Sequence, residues 1–404
     1  MKTLKDVKNA KIVYPEYFGD LSKVLIDDTL ISSIDRGEYV ILPSFCDVHV
    51  HFREPGFSHK ETIKTGSESA LAGGYTAVCT MPNLKPVPDT VENLSIQTEL
   101  IRNNSSIDIY PYASITMEQK GKELTDIDTL SNHVLAFTDD GKGVQDDGLM
   151  EQAMLLAKKN GKIIAAHCED NSLLFGGYIH DGEYARLHGH KGICSASEYA
   201  QVERDLKLVE KTGVKYHVCH VSTKETVDFI RKAKKIGLDV SCETAPHYLT
   251  MNDSFLKEDG KFKMNPPIRS EEDRLALVKG LVDGTIELIA TDHAPHSKEE
   301  KGKGLKDSLF GVVGLETSFS ALYTHLVKTG IISLEKLVEV MSINPRRRFN
   351  IPFTKDFSVW NLEEKYIVNP EEFKSMGRAT PYDGQTLYAK NYATVKNGVA
   401  IYKR

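Results

Sequence analysis

The chain has 404 residues, of which 40% are hydrophobic and 27% charged, with a formal net charge of −6. That composition is ordinary for a soluble globular protein and long enough for one large barrel domain plus a small appendage. It excludes the basic footprint of a nucleic-acid binder, strand-length apolar runs exclude a membrane span, and the opening MKTLKDVKNAKIVYP has no apolar secretory segment.

Residues 1–45 show short β-like pieces at 10–14, 24–26 and 40–42, and no helical period. An alternation follows that sets the architecture. Eight short apolar runs each end in polar or ionisable residues: CDVHVHF (46–52), TAVCTMPN (76–83), DIYPYASIT (108–116), VLAFTDDG (134–141), KIIAAHCED (162–170), VKYHVCHVS (214–222), LDVSCETAPHY (238–248) and ELIATDHAPH (287–296). Segments of 3.6-residue period separate most of them, for example 60–72, 149–159, 196–211, 224–236 and 271–281. Glycines close these segments at Gly73, Gly161, Gly213, Gly237 and Gly284, as helix C-termini prefer. Strand–helix repetition implies right-handed crossovers and a parallel sheet, and eight units predict a closed (β/α)8 TIM-like barrel over residues 46–345. Residues 298–309, rich in Lys and Gly, read as a mobile loop. Helices are expected at 317–328 and 334–341. From about 353 the pattern is β-like again, so 1–45 and 346–404 are expected to form one composite small β-sandwich domain. The six cysteines stand singly with no C-x-x-C pair, and read as reduced core thiols of a cytoplasmic protein.

In such barrels the active site lies at the carboxyl ends of the strands, and the ionisable residues here gather at that end. His49 and His51 are two apart, so on a strand they share a face, with Arg53 beyond if the strand continues. Asp139 or Asp140 ends the fourth run, His167 the fifth, His220 the sixth and Asp292 the eighth. Each alone could be a core histidine or a turn aspartate. Six together are too many for one catalytic ion with three protein ligands, and suit two metals bridged by one carboxylate, which supply a hydroxide at neutral pH and polarise a carbonyl for hydrolysis. Arg53 is a fixed fork for a carboxylate. Asn83 and Asn265 are amides that donate and accept, and His296 could add a charge-assisted donor, so together they suit a small anionic amide. Asp292 could also pass the water's proton to a leaving nitrogen. His247 reads as packing, or as support behind the ligands.

DVHVHFREPG, TMPN, FTDDG, AHCED, HVCHVS, MNPP, ATDHAPH and FGVVGLE, colinear over about 44–350, resemble the motifs of the dihydroorotases, in the bacterial type I branch of the amidohydrolase superfamily. SMGRATPYDG is similar as well. The resemblance implies reversible cyclisation of N-carbamoyl-L-aspartate to (S)-dihydroorotate in UMP synthesis, with zinc as the metal. It implies one Zn2+ on His49, His51 and Asp292, a second on His167 and His220, and Asp140 as the bridge, chosen over Asp139 by its spacing to His167. His51, Arg53, Asn83, Asn265 and His296 would bind substrate, with backbone groups at Phe310 and Gly311, and Asp292 would shuttle the proton. A homodimer and association with aspartate transcarbamoylase are the partners it allows. The alternatives are another cyclic-amide hydrolase, an allantoinase or dihydropyrimidinase, whose relatives generally carry a lysine at the end of strand four, or a silent subunit of a transcarbamoylase complex. The stretch after NPRRRF lacks the Gly-x-Asp-rich turn common in the family, which leaves the strand content of the small domain open.

Overall fold

The computed structural model describes residues 2–404. Eight parallel strands close into a barrel: β1 (Phe45–Val50), β2 (Tyr75–Thr80), β3 (Asp108–Pro111), β4 (Ala136–Phe137), β5 (Ile163–Ala166), β6 (Lys215–Val218), β7 (Val240–Thr244) and β8 (Leu288–Ile289). β1–β2–β3 form one ladder and β4–β5–β6–β7–β8 another. Single bridges between Ala113 and Phe137, and between Val50 and His293, join the two into a ring.

Every crossover contains a helix. Those after β1, β2, β4, β5, β6 and β7 are Ile63–Ala72, Val91–Asn104, Asp147–Lys159, Ala196–Thr212, Lys224–Lys235 and Glu271–Asp283, and β3 is followed by the single turn Ile127–Leu130. Most are started by a side chain accepting from the first turn: Thr62 from Thr65 N, Thr90 from Asn93 N, Asp146 from Leu149 N, Thr223 from Thr226 N and Ser270 from Asp273 N. The barrel interior is filled from below by Cys46, Val48, Ala77, Cys79, Tyr112, Ala165, Cys219 and Leu288, and Phe349 closes the floor, its ring stacked on Tyr112. That plug leaves only the carboxyl-end mouth open for chemistry. All six cysteines are free, five buried and Cys194 half-buried.

A five-stranded sheet draws on both ends of the chain, in the order Val399–Lys403, Thr386–Lys396, Phe357–Ile367, Val40–Pro43, Lys11–Ile12. Its second layer is a two-stranded ladder, Lys2–Thr3 with Leu25–Ile26, together with helical pieces. The expectation of no helix before residue 45 fails: Pro15–Phe18 and Asp28–Ile34 are helical. The second is capped by Asp27, which accepts from Thr29 N and Leu30 N, and it buries Leu30, Ile31 and Ile34 against Ile41, Phe357 and Val395. Two turns are too short to display a 3.6-residue period. The turn without Gly-x-Asp is made by Asn350, at φ +53 after the helix Asn344–Phe349, a left-handed position that Asn tolerates.

Residues 298–309 form two short helices, Lys298–Lys301 and Gly304–Asp307, instead of the expected mobile loop. The buried Lys301 ammonium donates to the Lys263 and Leu309 carbonyls at 2.9 and 2.7 Å. Among the described residues no helix is long and apolar enough to cross a membrane.

Candidate active site

β1 ends at Val50, so His51 and Arg53 lie just beyond it. His51 stays in line because its N–H donates to the His293 carbonyl at 2.8 Å. Both imidazoles turn into the barrel mouth, where His49 Nε2 lies 3.4 Å from Asp140 Oδ1 and 3.4 Å from Asp292 Oδ1. His51 Nε2 is 3.4 Å from Asp140 Oδ2 and 2.9 Å from Asp292 Oδ1. On the other side His220 Nε2 is 3.3 Å from Asp140 Oδ1, and His167 Nδ1 is 3.0 Å from His220 Nε2 and 3.7 Å from Asp140 Oδ1. His220 and Asp292 have φ of +35° and +48°. Non-glycine residues held there store strain of the kind found at functional sites.

Two groups that could hold a metal ion overlap here, His49–His51–Asp140 and Asp140–His167–His220, with Asp140 common to both. For an ion with ~2.0–2.1 Å bonds, tetrahedral ligands stand about 3.3–3.4 Å apart, and the donor separations centre on that value. The buried Nε2 of His49 has no hydrogen-bond partner, although it faces two carboxylates. A cation between them satisfies it, so the residues fit a metal.

Electrostatics agrees. Burial opposes a charge on Asp140, but His49, His167 and His220 outweigh it and hold the carboxyl well below its usual range. Burial likewise opposes charge on Asp292, and the bond to His51 with the neighbouring histidines brings its pKa below the usual value. Asp139 points elsewhere: it accepts from Ile115 N and Thr116 N at 2.8 and 3.0 Å and from the Thr116 hydroxyl. Of the two aspartates, only Asp140 enters the histidine cluster.

Two carboxylates that the sequence reading passed over stand behind the histidines. Glu243, on β7, takes His49 Nδ1 at 2.7 Å and His217 Nε2 at 3.0 Å. Burial resists its charge, yet the two histidines bring it down to about 2. Glu169 sits 3.5 Å from His167 Nε2 and accepts from Asn265 Nδ2 at 2.8 Å. A carboxylate bonded to the far ring nitrogen fixes tautomer and orientation of a ligating histidine, as Glu243 does for His49, while His167 Nε2 has no hydrogen-bond partner. Cys219 completes a third group with His49 and Glu243, but burial pushes its thiol up to about 12. A local signal existed for Glu243, since Ser241 and Glu243 alternate on the inward face of β7. His247 is buried, and burial pushes it down to about 4.

Above the cluster lies a cavity of about 180 Å³, lined by Arg53, Asn83, Asn265, Ala294, His296, Phe310 and Gly311 together with His51, Asp140, His167, His220 and Asp292. Arg53 donates Nε to the Pro295 carbonyl at 3.1 Å, its Nη2 stands 3.3 Å from His296 Nε2, and the fork lines the cavity. Burial lowers its pKa to about 10, so it stays cationic at neutral pH. Asn83 Oδ1 takes His51 Nδ1 at 2.9 Å, which leaves its amide NH2 for a ligand. His296 differs from expectation. Burial and then Arg53 press it down to about 3, so it is neutral and carries no charge-assisted donor. Its Nε2 stands 2.7 Å from the Phe310 carbonyl. The Gly311 amide donates to the Lys263 carbonyl at 3.1 Å, so the Phe310 carbonyl and the Gly311 amide each have a protein partner in the cavity wall.

A closed barrel with polar strand ends, a histidine–carboxylate cluster shaped for divalent metal and an anion-binding arginine defines a metal-dependent hydrolase. Solved structures of the same fold include an L-hydantoinase (dihydropyrimidinase) from Arthrobacter aurescens, at TM-score 0.84 and 23% identity over 98% of this chain and 95% of that one. A dihydropyrimidinase from Brevibacillus agri matches at TM-score 0.80 and 19% identity, over 98% and 94%. A family model described as dihydro-orotase-like matches residues 38–226. Dihydroorotases of Fusobacterium nucleatum and Shouchella clausii are 47% and 45% identical, covering 99% and 96% of this chain and 97% and 92% of theirs. The chain belongs to the dihydroorotase family, cyclic-amide hydrolases of the amidohydrolase superfamily.

Proposed function

We propose that this protein is a dihydroorotase that interconverts N-carbamoyl-L-aspartate and (S)-dihydroorotate for UMP synthesis, using two zinc ions. The observation that carries the reading is one carboxylate, Asp140, shared by two ligand groups. It stands in a chain 45–47% identical to relatives named dihydroorotase. His49, His51 and Asp292 would hold one ion and His167 and His220 the other, with Asp140 between. Ions held by these residues would supply a bound water of pKa about 7 and a Lewis acid for the ring carbonyl. Arg53 grips the substrate carboxylate as a fork. Asn83, through its free NH2, and Asn265, through the oxygen that Glu169 leaves unused, orient the amide. Asp292, ionised and beside His51, accepts a proton from the attacking water and returns it to the departing ring nitrogen; cyclisation runs the same transfers backwards.

Residues 46–345 are the catalytic unit in this proposal, 1–45 and 346–404 the small β unit, and the enzyme works in the cytoplasm. Homodimerisation and association with aspartate transcarbamoylase belong to the same reading and are measured by light scattering with and without the transcarbamoylase. The deciding experiment is a zinc-loaded, purified enzyme with metal counted by elemental analysis. Turnover of dihydroorotate with about two zincs per chain supports the proposal. Turnover of allantoin or dihydrouracil instead refutes it.

A further inference from the structure

The segment 368–385 links two strands of the small sheet, Phe357–Ile367 and Thr386–Lys396, but it does not stay on that sheet. Its middle, 374–380, crosses to the barrel mouth and seats on two carboxylates. Glu316 accepts from Lys374 N and Ser375 N at 2.9 and 3.0 Å. Glu61, fully buried, accepts from Met376 N at 3.2 Å, from the Ser375 hydroxyl and from the Thr65 hydroxyl. The same Glu61 faces His293 Nε2 at 3.4 Å, and His293 Nδ1 accepts from Gly314 N at 3.2 Å. Farther along, Val313 N donates to the Ala379 carbonyl at 2.9 Å. The strap is thus tied to both sides of the loop that carries Asp292, Pro295 and His296.

Gly377 is where the strap meets that loop. A Cβ there would stand 2.8 Å from Pro295 Cβ, 3.1 Å from Pro295 Cα and 2.6 Å from Val313 Cγ1. Its φ is outside the left-handed region, so the backbone accepts any residue and the close approach alone demands glycine. Pro295 supplies the carbonyl that holds Arg53 Nε at 3.1 Å. A Pro295 pushed outward carries that carbonyl with it, and the guanidinium loses its anchor.

We propose that Gly377 is a positioning residue for substrate binding: the bare backbone lets the strap clamp Pro295, and Pro295 aims Arg53 into the cavity. This rests on the role given to Arg53 above. The test uses the full-length, metal-loaded protein and the variant Gly377→Ala. KM for dihydroorotate should rise roughly tenfold while kcat stays within about twofold, because binding geometry is lost and the reacting centre is not. Adding Val313→Ala, which vacates the tightest contact, should restore much of the KM, a coupling expected only of touching residues. A readout independent of substrate is the rate at which phenylglyoxal modifies Arg53, followed by peptide mass spectrometry with buried Arg346 as internal standard. It should rise several-fold in Gly377→Ala. Ser375→Ala, which removes the hydroxyl that ties the strap to Glu61 and accepts from Gly377 N at 3.1 Å without adding bulk, should shift both readouts in the same direction and serves if Gly377→Ala does not fold. A lower Tm with unchanged KM and unchanged Arg53 reactivity overturns the proposal, as does a raised KM with Arg53 no more reactive. If the wild type does not turn over dihydroorotate, the functional reading fails while the Arg53 reactivity still decides this one.

Discussion

Glu243 Oε1 lies 2.7 Å from His49 Nδ1, inside the barrel and on the side away from the cavity. Its other oxygen holds His217 Nε2 at 3.0 Å, whose Nδ1 meets Ser241 Oγ at 2.7 Å. The chain of contacts fixes the proton on His49 Nδ1 and turns the Nε2 lone pair toward the metal. Loss of such a partner costs about 10–100-fold in metal affinity. Glu243→Gln should therefore weaken zinc binding by that amount in a chelator competition. Unchanged affinity would mean that packing alone orients His49.

Arg53 is buried and cationic; its Nε donates to the Pro295 carbonyl at 3.1 Å and its Nη2 lies 3.3 Å from His296 Nε2, which leaves Nη1 and the second Nη2 proton for a carboxylate. Arg53→Lys keeps the charge but not the planar fork. KM should rise roughly tenfold or more for Lys, and further for Ala, with kcat much less affected. Steady-state kinetics on both variants checks this, and a normal KM in Arg53→Ala removes Arg53 from the substrate site.

The barrel was legible because two periods alternate in the sequence and polar residues gather at one end of each apolar run. Six ligand candidates followed from that placement. What escaped depends on partners distant in sequence. Glu243 shows only its alternation with Ser241, and Glu169 looks like an ordinary polar loop residue, until His49, His217 and Asn265 are placed beside them. His296 looked like a cation, and its lowered pKa comes from burial first and then from Arg53 and Lys60, which the fold brings beside it. The helix Asp28–Ile34 escaped because its apolar face is matched only by strands from the far end of the chain.

Away from the metal cluster, His180 ends the short strand Ile179–His180, with its buried Nδ1 unpartnered. Burial, then Arg269, pushes it down from 6.5 to about 4. A base with a depressed folded-state pKa binds protons more readily when unfolded. Its stability cost is absent above pH 6.5, grows as pH falls and is complete below about 4. At ~1.4 kcal/mol per unit of separation, that is roughly 3 kcal/mol. Urea denaturation should show His180→Leu losing less stability than wild type between pH 7 and 4.5. Equal losses in both proteins would place the acid sensitivity elsewhere.

Asp292 is expected to be both ligand and base. Asp292→Asn keeps the volume but removes the charge that His51 and His49 face. The rate should fall by several orders of magnitude, since a proton acceptor and a ligand go together, while circular dichroism stays that of the wild type. Near-normal turnover would assign the proton transfer to another group.

Asp139 and Asp140 offer the sharpest comparison, because adjacent residues of the same type point to opposite tasks. Asp139 ties down the backbone at Ile115 and Thr116, and burial raises its pKa to about 6. Asp140 faces four histidines. Asp139→Ala should strand two buried amides and cost about 1–3 kcal/mol of stability, with the metal retained. Asp140→Ala should lose metal, and activity should fall by orders of magnitude, with a smaller change in Tm once both proteins are measured metal-free. The metal-free comparison is essential, because bound metal itself stabilises the fold by mass action. Full metal retention in Asp140→Ala, with loss in Asp139→Ala, would transfer the bridging role to Asp139.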